Sequence, residues 1–327
     1  MSEFEEISES SSSSDDGSSA EKGKSSESRS ESAPRFYERS ESGVRSIRRD
    51  TSGDARAYLP VLEKWDPAKA LKRPGMVRKG YDKGKKDYCS IVMAAPPFSG
   101  KSFLIEYLWK YIYRNYDIIL FFTTSAGSGS YNFVKVEPDD VKKKYVYLYD
   151  TWIDGLIYDL MKGNDDIIKD GGEFARIFII FDDFFSLKLL QNQEIIDLQC
   201  HFRNHGISYL MSQQDKVMVS RPTRAMCTHW ILFKCNDKDR RKTYINECIS
   251  TCIPESIVEA SKFKTAEVLS KELWEHIVAT RYAALIVSRN QHGFRNMLHW
   301  YKVDSPKGMQ EEDESTVDRV DKWVAIP

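Results

Sequence analysis

From Tyr88 onward, short and nearly continuous apolar runs recur at 88–95, 117–124, 145–149, 176–181, 207–212 and 229–234. Each is rich in β-branched or aromatic residues and shows little alternation, as strands covered on both faces do. Helical stretches separate them, and strands alternating with helices predict an α/β domain with a mostly parallel sheet flanked by helices. The first such helix places Phe103, Leu104, Tyr107, Leu108, Tyr111 and Ile112 on one face, opposite Glu106, Lys110 and Arg114. A further helical stretch is expected over 237–280, interrupted at Pro254. Two last strands, 282–288 and 297–303, read as a hairpin joined through Asn290-Gln291-His292-Gly293.

Composition changes the picture at the two ends. Residues 1–34 hold fourteen serines and three times as many acids as bases. Such a segment cannot bury enough apolar area to offset its ordering entropy, so a disordered, solvated tail is expected. The charge balance then reverses through a basic neck that includes Arg45, Arg48, Lys69, Lys72, Arg78, Lys83 and Lys86. The total of 48 basic against 49 acidic residues conceals both, and argues against a polycation. The expected division is a tail and neck at 1–57, a basic linker or N-terminal extension at 58–87, one domain at 88–305 and an acidic tail at 306–327. No apolar run approaches the eighteen residues that a membrane span needs, and the N-terminus lacks a signal peptide, so a soluble intracellular protein is expected. Six cysteines in 327 residues make no disulfide scaffold. Cys248 and Cys252 stand one helical turn apart with no second pair at zinc spacing, so buried free thiols are expected.

The chemistry gathers at strand ends. Ala95-Pro96-Pro97-Phe98-Ser99-Gly100-Lys101-Ser102 follows the first strand and opens a helix, the setting of a phosphate-binding loop. Its backbone N–H groups and the helix dipole favour phosphate, Lys101 would reach the β- and γ-phosphates of ATP, and Ser102 would hold Mg²⁺. Ala95 stands where the usual pattern has its first glycine, which a turn without positive φ tolerates. The strand at 176–181 ends in Asp182-Asp183, and ligands sit at the carboxyl edge of parallel sheets. Asp182 is the candidate to orient Mg²⁺ through water and Asp183 to accept a proton from the attacking water; the plainer alternative is a helix N-cap. Gln213, ending a third strand, can report on the γ-phosphate and the attacking water. Arg203 and Arg224 are candidate arginine fingers directed at a neighbouring subunit. Three basic clusters, at 78–86, 142–144 and 238–242, are candidate contacts for nucleic-acid phosphates, solvated faces being the default.

In this order, Val92-Met93-Ala94-Ala95 with Ser99-Gly100-Lys101-Ser102, then Tyr116 to Thr124, Ile179 to Phe184, and His201 to Ser208 with Ser212-Gln213-Gln214 and Arg221-Pro222-Thr223-Arg224, resemble the virion DNA-packaging ATPases of nucleocytoplasmic large DNA viruses and related elements, within the FtsK–HerA class of P-loop NTPases. The likeness spans about residues 88–240. It implies a P-loop ATPase domain with a RecA/ASCE-like core at 88–305, ATP and Mg²⁺ as cofactors, and an ATPase motor moving double-stranded DNA into a preformed capsid. It implies a homo-oligomeric ring, capsid or portal-vertex partners, and a viral protein acting in the cytoplasmic factory or nucleus of the infected cell, with incorporation in the virion left open. By matching position, Lys101 and Ser102 fall in the nucleotide loop, Asp182 and Asp183 in Walker B, and Gln213 at the sensor. Asn204 departs from the pattern by separating Arg203 from His205. The alternatives are an FtsK- or HerA-like translocase or helicase acting in replication, and a nucleotide-binding adaptor that does not hydrolyse ATP. A small-molecule kinase is disfavoured because Asp182, Asp183 and Gln213 suit activation of water.

Overall fold

The computed structural model describes residues 59–127, 131–135, 145–213, 221–261, 263–289 and 297–303. The Ser-rich tail, the 142–144 cluster, the 290–293 turn and the acidic C-terminal tail lie outside them.

Nine strands form one mixed sheet: β1 (Glu63–Lys64), β2 (Ser90–Ala94), β3 (Ile118–Thr123), β4 (Tyr145–Tyr149), β5 (Ile177–Asp182), β6 (Ile207–Gln213), β7 (His229–Leu232), β8 (Ala283–Ser288) and β9 (Leu298–Lys302). Their spatial order is β1-β9-β8-β7-β2-β6-β5-β3-β4. β8 alone pairs antiparallel with its neighbours, as the expected hairpin with β9 requires. All other ladders are parallel. β6 thus lies between the strand that leads into the phosphate loop and the strand that ends in the acidic pair. β2, β5 and β6 are buried at every position, which explains their largely apolar composition.

Each strand sends alternate residues to opposite faces. On one face Met93, Phe121, Ile180 and Ile231 pack under the helix α2 (Lys101–Asn115). On the other, Leu120, Ile179, Phe181 and Met211 meet Ile157 and Met161 of α4 (Leu156–Lys169) and Ile195 and Leu198 of α6 (Gln193–His201). Buried Glu194 of α6 accepts the N–H groups of Gly155, Ile157 and Tyr158, satisfying the open donors of the first turn of α4.

Of the two readings of 58–87, the described residues follow the extension: Leu59, Leu62, Trp65, Leu71 and Val77 are buried, and β1 adds to the sheet beside β9. The many lysines between those apolar positions hid them, because a lysine-rich segment can still bury every few residues. Two expectations are corrected. The buried face of α2 is Leu104, Ile105, Leu108, Trp109, Ile112 and Tyr113, with Phe103 exposed. Trp109 turns inward because Phe121 and Phe133 offer it an aromatic seat, at ring-centroid distances of 6.4 and 5.7 Å. The 237–280 helix is broken more often than Pro254 predicts, into α8 (Lys238–Thr243), a π-helical turn (Tyr244–Ile249), a 3₁₀ turn (Ser250–Cys252), α9 (Glu255–Ala260) and α10 (Ala266–Val278). The six cysteines are free, and burial pushes the Cys89 thiol up to about 11 and Cys227 to about 12.

One glycine sets the start of β6 and so the placement of Gln213. Gly206 has φ +70°, and a Cβ there would come within 2.9 Å of Asn164 Nδ2 and of the Phe174 ring. Asn164 is already committed, donating to the carbonyls of Ala175 and His205. Gly206→Ala is therefore expected to destabilise the fold by about 2 kcal/mol or more, since the left-handed backbone alone costs about 1–2 kcal/mol. Chemical denaturation reads this directly, and an unchanged midpoint would show that the turn relaxes freely.

Candidate functional site

Three strand ends converge at the carboxyl edge of the sheet. The register pairs Ala94 of β2 with Gln213 of β6, and Asp182 of β5 with Ser212 of β6 and Thr123 of β3. Ala95 is fully buried, and its N–H donates to the Gln213 carbonyl at 3.0 Å, so the loop leaves the sheet without needing a glycine. The chain then turns through Phe98 (φ 62°) and Gly100 (φ 94°) before α2 begins at Lys101. Gly100 is required twice over: its φ is left-handed, and a Cβ would lie 3.0 Å from the Tyr282 ring. Among the described residues, no acceptor bonds the N–H groups of Lys101 and Ser102.

Lys101 reaches across the edge. Its buried ammonium forms an ion pair with Asp183 and lies 3.9 Å from Asp182. Burial pushes the Lys101 pKa down, and the Asp182 carboxylate opposes that shift. Neither aspartate caps a helix, because α5 (Leu187–Leu190) is capped by Ser186. Asp183 instead holds φ 51°, an uncommon conformation that turns the chain sharply off β5. Tyr131 was not legible as a site residue, because it follows a Gly/Ser stretch with no diagnostic spacing. Its hydroxyl donates to Asp182 Oδ2 at 2.7 Å. Burial, and then Asp182, push its pKa up to about 12, while contacts with Thr123 and Ser102 oppose this. Tyr282, packed on Gly100, was likewise missed.

Polar atoms at this edge are left waiting. Among the described residues, Asp182 Oδ1, Ser99 Oγ, Ser212 Oγ and both amide atoms of Gln213 are buried without hydrogen bonds. Buried polar groups in folded proteins are paired with protein, water or ligand, so such a concentration suits a polar ligand. A hydroxyl at Ser102 and a carboxylate oxygen at Asp182 are hard oxygen donors of the kind Mg²⁺ takes together with phosphates. Among the described residues, no cluster of three or more His, Cys, Asp or Glu could hold a metal by itself. Open N–H groups, an ammonium, a hydroxyl and two carboxylates together suit a polyphosphate with its divalent cation.

The chain is similar to the genome packaging NTPase B204 from Sulfolobus turreted icosahedral virus 2 in complex with AMP, at 17% identity over 67% of this chain and 98% of that one, with a TM-score of 0.44. It is also similar to the pCW3 conjugation coupling protein TcpA with ATPγS (14% identity, 75% and 70% of the two chains, TM-score 0.44) and to EssC ATPases 2 and 3 from Geobacillus thermodenitrificans (13% identity, 81% and 50%, TM-score 0.44). No protein-family model matches the chain, and no curated protein matches it.

The two arginines are elsewhere. Arg203 sits in the 3₁₀ turn Phe202–His205 that enters β6, and Arg224 in α7 (Arg221–Met226) just before β7. Both stand at the opposite edge of the sheet, about 20 Å from the Gln213 end of β6 by strand rise. Arg224 is ion-paired with Glu247 at 2.7 Å. The structure therefore brings neither to the loop 95–102 of its own chain. No helix among the described residues is long and apolar enough to cross a membrane.

Proposed function

We propose that the chain hydrolyses ATP at the loop 95–102 and uses the energy to move double-stranded DNA, as the motor that packages a viral genome. The observation that carries the hydrolytic part is the meeting of Lys101, Asp182, Asp183 and Gln213 at one sheet edge with buried polar atoms unsatisfied. The DNA-packaging part, with a ring of copies and a capsid or portal partner, is supported by the motif resemblance.

Lys101 is ion-paired with Asp183. Arriving β- and γ-phosphates compete for that ammonium, and the loop N–H groups hold them in place. Transfer of Lys101 to phosphate leaves Asp183 with an unneutralised carboxylate beside the γ-phosphate, able to accept the proton of an attacking water. Gln213 offers a donor and an acceptor from one amide, which suits holding that water in line. Ser102, and Asp182 through water, would hold Mg²⁺, which would supply charge neutralisation on the β- and γ-phosphates. Tyr131 fixes the Asp182 carboxylate by its hydrogen bond.

The test is steady-state ATPase with and without long double-stranded DNA. Turnover is expected to rise with DNA. Turnover indifferent to DNA overturns the motor reading in favour of a plain nucleotide hydrolase, and stimulation by a small phosphate acceptor overturns it in favour of a kinase. Absence of turnover despite ATP binding would identify a non-hydrolysing adaptor.

A further inference from the structure

We propose a second phosphate-binding site, beneath the sheet edge opposite the loop at Lys101, that takes the phosphodiester backbone of a nucleic acid. It rests on the DNA-handling part of the proposed function and not on ATP hydrolysis.

β2, β6, β7 and β9 all begin at this edge and β8 ends there. The segments entering those strands enclose a cleft of about 830 Å³, with Lys69 on one wall, Lys86 on the loop before β2, Arg203 at the entry to β6 and Arg289 at the end of β8. Its lining carries six Lys or Arg residues (64, 69, 72, 86, 203, 289) against three acids (63, 66, 87). Two of those acids are already engaged. Asp66 accepts the Ala68 N–H as the cap of α1 (Pro67–Ala70), and Asp87 pairs with Lys72 at 2.7 Å. No ion pair among the described residues takes Lys69, Lys86 or Arg203. Buried polar atoms here are also unsatisfied: Arg203 Nε and His299 Nδ1 have no hydrogen-bond partner among the described residues.

A small anion would require donors converging on one point. Here Lys69, Lys86 and Arg203 come from three separate elements spread along an open cleft, with Lys69 and Lys86 exposed on its rim, while the Arg289 guanidinium donates to the carbonyls of Arg224 and Glu247. That arrangement suits a row of phosphates, bound with little regard for base sequence. It also gives the basic neck a definite place, since Lys86 belongs to the 78–86 cluster, and it gives Arg203 a ligand on the side of the sheet where it stands.

The experiment measures binding of a fluorescent random-sequence duplex to the full nucleotide-free chain between about 50 and 200 mM salt. Lys69→Gln/Lys86→Gln, two exposed substitutions that leave the core untouched, is expected to raise Kd about tenfold or more at the lower salt. Each phosphate contact contributes about 0.9 to the slope of log affinity against log salt, so that slope should fall by about two. Arg203→Gln should act in the same direction, and the control Lys271→Gln on α10 should not. Unchanged affinity and slope in the double variant overturn the site while leaving DNA handling intact. Loss of DNA-stimulated turnover with unchanged duplex affinity also overturns it, in favour of a contact between copies of the chain. If wild type binds no duplex, the DNA reading falls. In that case a thermal shift with millimolar inorganic phosphate, present in wild type and lost in the double variant, keeps the site for a small phosphate ligand, and no such difference overturns it.

Discussion

Lys101→Ala removes ATP turnover, lowering kcat by about a hundred- to a thousandfold, as loss of one preorganised charge or donor at a transition state does. The same substitution has a second expected effect, because Lys101 also neutralises the nucleotide-free chain. Its ammonium, ion-paired with Asp183 and 3.9 Å from Asp182, is the positive charge facing two carboxylates, one of them fully buried. Removing one partner of a buried ion pair costs about 3–5 kcal/mol, since the remaining charge is left uncompensated. Lys101→Ala should therefore lower Tm as well as activity, and DNA should restore neither. Lys101→Ala/Asp183→Asn separates the two effects: it should regain part of the lost Tm, the buried Asp182 still lacking the ammonium, while turnover stays absent. Calorimetry and steady-state ATPase on the same preparations check both. A Lys101→Ala protein that melts like wild type and hydrolyses ATP would remove the phosphate loop from the mechanism.

That coupling also explains what was legible in the sequence. The loop, the acidic pair and the polar strand end could be read because each sits where a buried strand stops, and strand ends announce themselves as an abrupt change from apolar to polar. β5 shows this best, with five apolar residues and then Asp182-Asp183. Sheet membership was legible for the same reason, and the hairpin at β8 and β9 followed from its turn residues. What pattern could not supply was anything set by packing across the chain. Trp65 and Leu71 are core residues, but the lysines around them mask the signal. Tyr131 and Tyr282 reach the site from loops whose positions depend on the finished fold. Arg203 is close in sequence to Gln213, yet one strand length carries it to the far edge of the sheet. A residue that enters a strand and a residue that leaves it are neighbours in the chain and strangers in the site.

Gln213→Met should make the protein more stable and nearly inactive, a pairing that a structural role alone would not produce. The Gln213 amide is 4% exposed and its two polar atoms lack hydrogen bonds among the described residues. A buried polar group left unsatisfied costs about 1–3 kcal/mol, and methionine fills a similar volume with no amide to desolvate. The midpoint of urea unfolding for the nucleotide-free chain should rise accordingly. The backbone of Gln213 would be undisturbed, because its carbonyl still accepts the Ala95 N–H and its strand still pairs with β2. Turnover should nevertheless fall about a hundredfold, with little change in affinity for a non-hydrolysable ATP analogue, because in the proposed mechanism the amide holds the water and the γ-phosphate and leaves the rest of the nucleotide untouched. A variant that loses stability and keeps its turnover would mean that the amide is satisfied in solution and idle in the reaction. The predicted gain in stability measures what the nucleotide-free fold gives up to keep that amide unpaired.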